Sequence, residues 1–155
     1  MCDGGDHGRC VLAEQQRQDS QYLLTIMNDQ IRVLSIDDHP HTREGIAVVI
    51  SSQPDMLMVA QAVNGREAVE RFREHKPDVT LMDLRLPDMS GIDVTIAIRK
   101  EFPEARIIIL TTFDSDTERQ RALAAGARAF VLKTAPPRNL LETIRQVHVG
   151  REENK

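Results

Sequence analysis

The chain has 155 residues, of which 41% are hydrophobic and 28% charged, and its net charge is -4 at pH 7. That is a globular balance about one domain long, so it excludes a disordered chain and predicts a single core. The mildly acidic charge offers no overall electrostatic grip on nucleic acid or anionic lipid, and no apolar run approaches the ~20 residues of a membrane span.

Residues 1–29 hold five acids and two bases, which leaves 18 bases against 19 acids from residue 30 onward. This leader is read as an N-terminal extension, disordered or forming a short helix lined by Val11, Leu12, Tyr22, Leu23, Leu24, Ile26 and Met27. Met27, just before the first strand, is an alternative start. The leader lacks the basic start and apolar stretch of a signal peptide, so the expected setting is cytoplasmic. Both cysteines, Cys2 and Cys10, lie in it, and with His7 their spacing matches no zinc pattern. The body therefore has no thiol for a disulfide, as suits a reducing compartment.

From Ile31 the pattern turns regular. Five short apolar runs predict strands over 31–36, 56–62, 79–82, 106–110 and 129–132. Between them, residues 42–51, 66–75, 91–101, 116–125 and 137–149 carry apolar residues at three- and four-residue steps and predict helices, with Leu123, Ile144 and Val147 in the buried stripe. Asn64 suits a cap of the second helix, and Pro136 or Pro137 an opening of the last. Runs such as IIIL and VTLM are apolar on both faces, as a parallel strand covered on each side requires. Strict alternation over about 120 residues predicts a flavodoxin-like, doubly wound (βα)5 domain with a five-stranded parallel sheet over 30–150.

In such sheets ligands bind beyond the carboxyl ends of the strands, where strand order reverses. The first strand ends in Asp37-Asp38, the third in Asp83, the fourth in Thr111-Thr112 and the fifth in Lys133. Three carboxylates, a hydroxyl and an ammonium are thus expected at one edge. Crowded carboxylates repel one another unless a cation intervenes, and Mg2+ suits an all-oxygen set that also bridges to phosphate. Taken singly, Asp37 or Asp38 could be a helix cap, Thr111 an ordinary strand residue and Lys133 a solvated charge.

The segments SIDDHP (35–40), LMDLRLPDMSG (81–91), LTTFDSD (110–116) and AGARAFVLK (125–133) resemble the receiver domains of two-component response regulators, in wording most like the NarL/FixJ (LuxR-type) subfamily. The resemblance covers residues 31 to about 149. It implies that Asp83 accepts a phosphoryl group from a sensor histidine kinase. It further implies that Asp37, Asp38, Asp83 and the backbone carbonyl of Arg85 hold Mg2+, and that Thr111 and Lys133 bind the phosphoryl oxygens. Thr111 and Phe130 would form the switch, although Phe130 could also be fixed core. A homodimer on phosphorylation and transcriptional control through a helix-turn-helix domain are implied as well. The sequence ends at Lys155, so 151–155 is read as a stub and DNA contact as the task of a domain this chain lacks. A stand-alone receiver acting through protein contacts is the alternative.

Two enzyme-like or cofactor-binding readings compete less well. A phosphatase of the haloacid dehalogenase type would place a second Asp two residues after the nucleophile, where this chain has Arg85. A flavin-binding protein would need hydroxyls and amides after the first strand, where Asp37-Asp38-His39-Pro40 stands. The expectation is a signalling domain that transfers a phosphoryl group only to its own Asp. Six bases against two acids between Thr117 and Arg145 suggest a solvated face or, more sharply, a dimer or partner surface. Many receivers follow the lysine with a cis proline, but Lys133 is followed by Thr134-Ala135-Pro136-Pro137, so no cis peptide is implied.

Overall fold

The computed structural model describes residues 30–150. The expectations for 1–29 and 151–155, including the leader helix and cysteines, fall outside them. The order of elements is β1 (Ile31–Ile36), α1 (Pro40–Ser51), β2 (Met56–Ala62), α2 (Gly65–His75), β3 (Val79–Asp83), α3 (Gly91–Glu101), β4 (Ile107–Thr111), α4 (Asp116–Ala124), β5 (Ala129–Leu132) and α5 (Pro137–His148). All strands pair in parallel in the order β2-β1-β3-β4-β5.

The twofold alternation of strand side chains divides the core in two. Val33, Leu81, Ile108, Leu110 and Val131 pack with Ile46 and Ile50 of α1 and with Leu140, Ile144 and Val147 of α5. Leu34, Ile36, Met82, Ile107, Ile109 and Phe130 face the other way, toward Phe72 of α2, Val94 and Ile98 of α3 and Ala122 of α4. β3 and β4 are buried along their whole length, which is why VTLM and IIIL carry apolar residues on both faces.

Local chemistry sets the helix ends. Asn64 Oδ1 accepts from the Glu67 N–H at 2.8 Å, as expected, and Ser90 and Ser115 cap α3 and α4 in the same way. Pro40 and Pro137 open α1 and α5, where a missing N–H leaves no bond unmade. Neither Asp37 nor Asp38 is an N-cap. That position belongs to His39, whose side chain makes no capping bond.

The structure corrects three details. α1 starts at Pro40, two residues before the predicted 42–51. β4 runs one residue later than predicted, so Thr111 is its last residue and pairs with Leu132. Leu123 is 38% exposed while the smaller Ala122 is fully buried. α4 has room only for a methyl group against the sheet, and the larger side chain turns outward.

The basic run from Thr117 to Arg145 is not one continuous face. Lys133 points at Asp37, Arg119 lies 4.8 Å over the Phe130 ring, and Arg145 forks onto Asp55 at 2.8 and 3.0 Å. The Arg145 pair ties α5 to the loop after α1, and both side chains are about 40% exposed. It is therefore expected to contribute at most about 1 kcal/mol, against roughly 1.5–3 kcal/mol for burial of Ile144. The Arg145 guanidinium holds the Asp55 carboxyl below its usual 3.8. The pair's contribution is thus present above that value and disappears as pH falls through the lowered one. Urea titrations of native and Arg145→Ala protein should differ by up to about 1 kcal/mol at pH 7 and converge on acidification.

Candidate functional site: an acidic pocket at the strand ends

Strand order reverses between β1 and β3, so the chain leaves these neighbouring strands toward opposite faces and opens a crevice at their carboxyl ends. Asp37 follows β1, with its N–H bonded to the Ala62 carbonyl at 3.0 Å. Asp83 is the last residue of β3. Its backbone is closely packed, because Gly91 donates its N–H to the Leu84 carbonyl at 2.7 Å and an isolated bridge joins Arg85 to Ser90. Lys133 follows β5, and its N–H bonds to the Thr111 carbonyl at 2.7 Å.

Lys133 Nζ lies 2.6 Å from Asp37 Oδ2 and 3.2 Å from Asp83 Oδ2. Asp37 and Asp83 are both almost fully buried, and Asp38 is partly so. Thr111, also buried, accepts a 3.3 Å hydrogen bond from the Phe113 N–H and lines an open pocket of about 310 Å3 with Asp83, Arg85 and Lys133. The structure thus brings together Asp37, Asp38, Asp83, Thr111 and Lys133, with Arg85 on the rim. Phe130 stands apart, inside the core beneath Arg119. It pairs with Ile109, two residues before Thr111 in β4 and on the same face.

Burial raises the Asp83 carboxyl above its usual 3.8, Lys133 pulls it back, and Asp37 pushes it up again. One ammonium facing three carboxylates leaves the pocket short of positive charge. Asp38 Oδ1 is buried and makes no hydrogen bond, although a histidine nitrogen stands 3.1 Å from it. An all-oxygen donor set with an unsatisfied buried carboxylate oxygen fits a hard divalent ion such as Mg2+.

Two neighbours, His39 and Asp88, were not assigned from the sequence, and the Arg85 side chain makes a contact beyond the role expected of its carbonyl. His39 Nδ1 stands 3.2 Å from Asp37 Oδ1, 3.1 Å from Asp38 Oδ1 and 3.9 Å from Asp83 Oδ2. The guanidinium of Arg85 lies 5.3 Å over the ring of exposed Phe113 and links the loops on two sides of the pocket. Asp88 accepts from the N–H groups of Gly65 and Arg66 at 2.8 and 3.0 Å, which pins the loop after β3 to the start of α2. Only His39 had a local signal, since Pro40 restricts it to an extended backbone beside an acidic pair.

The fold and the site define a doubly wound parallel α/β domain with an aspartate at the base of an acidic, cation-fitting pocket. Residues 33–145 match the response regulator receiver domain. The chain belongs to that family: it is the receiver domain of a two-component response regulator, a signalling domain. The response regulator protein VraR of Staphylococcus aureus is 38% identical over 120 residues, covering 77% of this chain and 57% of that protein. The chain therefore spans little more than half the length of the curated relatives it matches. A LuxR-family two-component response regulator from Aurantimonas sp. SI85-9A1 is similar in structure, with a TM-score of 0.77 at 36% identity over 79% of this chain and 88% of that one. A LuxR-family, DNA-binding response regulator from Staphylococcus aureus gives a TM-score of 0.72 at 29% identity, over 76% and 98%. These relatives bear out the NarL/FixJ-type reading. No helix among the described residues is long and apolar enough to cross a membrane.

Proposed function

We propose that this receiver is switched by phosphorylation of Asp83, and that a sensor histidine kinase is the donor. One observation carries the reading: Asp83 is a buried carboxylate that faces an open pocket and has Lys133 at 3.2 Å. An Asp83 oxygen attacks the phosphorus of the phosphohistidine, the P–N bond breaks, and the departing imidazole recovers its electron pair and takes up a proton. The product is an acyl phosphate. Lys133 pairs with one phosphoryl oxygen and the Thr111 hydroxyl donates to another, so the residues mainly position and neutralise charge. Asp37, Asp38, Asp83 and the Arg85 carbonyl would hold Mg2+, which when bound offsets the negative charge of both phosphoryl group and carboxylates. No separate substrate is turned over.

A move of the Thr111 hydroxyl toward the phosphoryl group would loosen the bond it accepts from the Phe113 N–H. That movement changes the space beside Phe130, whose ring packs under Arg119 of α4. This path links phosphorylation to the surface of α4, β5 and α5, where a homodimer would form. Output through a DNA-binding domain in the remainder of the protein is supported by the LuxR-family relatives, and the setting would be cytoplasmic. The acceptor is tested by loading the chain from acetyl phosphate with Mg2+ and reducing the product with borohydride. This turns an aspartyl phosphate into homoserine at the modified position. Homoserine is expected at residue 83, and recovery at residue 37 or 38 would sink the assignment.

A further inference from the structure

Among the described residues, the acidic pocket is the only group of three or more His, Cys, Asp and Glu side chains with converging ligand atoms, and it includes His39 as well as Asp37, Asp38 and Asp83. The four ligand atoms lie within 4.8 Å of one another, close to the ~4.4 Å between opposite donors around an ion with bonds of ~2.2 Å. His39 is also held in place. Its N–H donates to Asp37 Oδ1 at 2.9 Å, and its backbone is extended, at φ -90 and ψ 115, as a residue before proline must be. Its side chain is 66% exposed, so the ring can adjust without disturbing the core.

A purely carboxylate and carbonyl set suits Mg2+, which draws little benefit from an imidazole. First-row transition ions bind nitrogen more strongly, increasingly so from Mn2+ toward Cu2+, with Zn2+ below that peak. We propose that His39 is a nitrogen donor to the divalent ion of this pocket and makes the site prefer first-row transition ions over Mg2+. The proposal rests on the reading of the pocket as a cation site given above. Asp37, Asp38 and Asp83 supply the charge that any divalent ion needs, and His39 supplies the discrimination.

Mn2+ provides a direct readout, because its electron spin echo is modulated by a directly bound nitrogen. The full chain, its His39→Ala variant and its Asp38→Asn variant would be loaded with Mn2+, and Mn2+ and Mg2+ affinities measured by calorimetry. Nitrogen modulation is expected in the native chain and should vanish in His39→Ala, where His7, His41, His75 and His148 all remain. The ratio of Mn2+ to Mg2+ affinity should fall by roughly tenfold in the same variant, the scale on which groups around a metal tune its binding. Bound Mn2+ with no nitrogen modulation, modulation that survives in His39→Ala, or an unchanged or higher affinity ratio would each overturn the role of His39. A native chain that binds neither ion, or an Asp38→Asn protein that binds Mn2+ as the native one does, would instead overturn the cation site itself.

Discussion

The Asp83→Asn protein should take up no phosphoryl group from acetyl phosphate and, without divalent cation at pH 7, should melt at a higher temperature than the native protein. Loss of uptake follows from removal of the proposed nucleophile, because an amide oxygen does not form a stable acyl phosphate. The gain in stability follows from the raised Asp83 carboxyl. Burial and Asp37 make its charge costly, and Lys133 only partly offsets them. The folded state therefore binds this proton more tightly than the unfolded chain. Native stability should fall as pH rises from the usual 3.8 through the raised value, then level off.

Asparagine removes that penalty without stranding Lys133, which keeps Asp37 at 2.6 Å. Each kcal/mol recovered should raise Tm by roughly 2–4 °C in a domain of this size. Calorimetry across pH, with and without Mg2+, checks both halves. Added Mg2+ should stabilise the native chain with the logarithm of its concentration above Kd, and the variant much less. A variant that melts below the native protein at every pH would mean that the Lys133–Asp83 pair outweighs the cost of burying the charge.

Gly91→Ala should be the most damaging single-methyl change in the domain, lowering stability by about 2–4 kcal/mol. A Cβ at Gly91 would collide with the backbone carbonyl oxygen of Asp83 and lie 3.0 Å from Met82 Cγ. The colliding atom is backbone in a central strand, so no rotamer change relieves it. The Gly91 N–H bond to the Leu84 carbonyl holds the two segments together. Either that bond lengthens or β3 shifts, and a shift displaces Asp83 relative to Lys133, so phosphoryl uptake should slow as well. Gly45→Ala is the matched control. Nothing lies within 4 Å of its added methyl, and alanine in the middle of α1 should be neutral or stabilise by about 0.5–1 kcal/mol. The urea midpoint should fall in Gly91→Ala and hold or rise in Gly45→Ala.

Much of this molecule is legible in the chain itself. An apolar run such as IIIL specifies a strand buried on both faces, and Asn64 marks a helix start through a bond to an amide three residues away. Such signals are local, acting over a few residues, so β1 and β2 fall on their predicted ranges. The identities of the residues at the strand ends are equally local, and their motifs carry the family resemblance without any geometry.

What packing alone decided is which of those ends meet. Lys133 reaches Asp37 across 96 positions of sequence only because β1 and β3 are neighbours at the centre of the β2-β1-β3-β4-β5 order. That order reflects how five amphipathic helices share two faces, and no local spacing records it. The same packing turns Leu123 outward and Ala122 inward, because periodicity reports a helical face but not the space opposite it. It also sets His39 among three carboxylates and buries Asp83. The sequence by itself thus determined the elements, the family and the candidate residues. Tertiary structure determined their distances, their burial and the charge imbalance of the pocket, since electrostatic energies depend on separation and solvent access, which a linear chain does not contain.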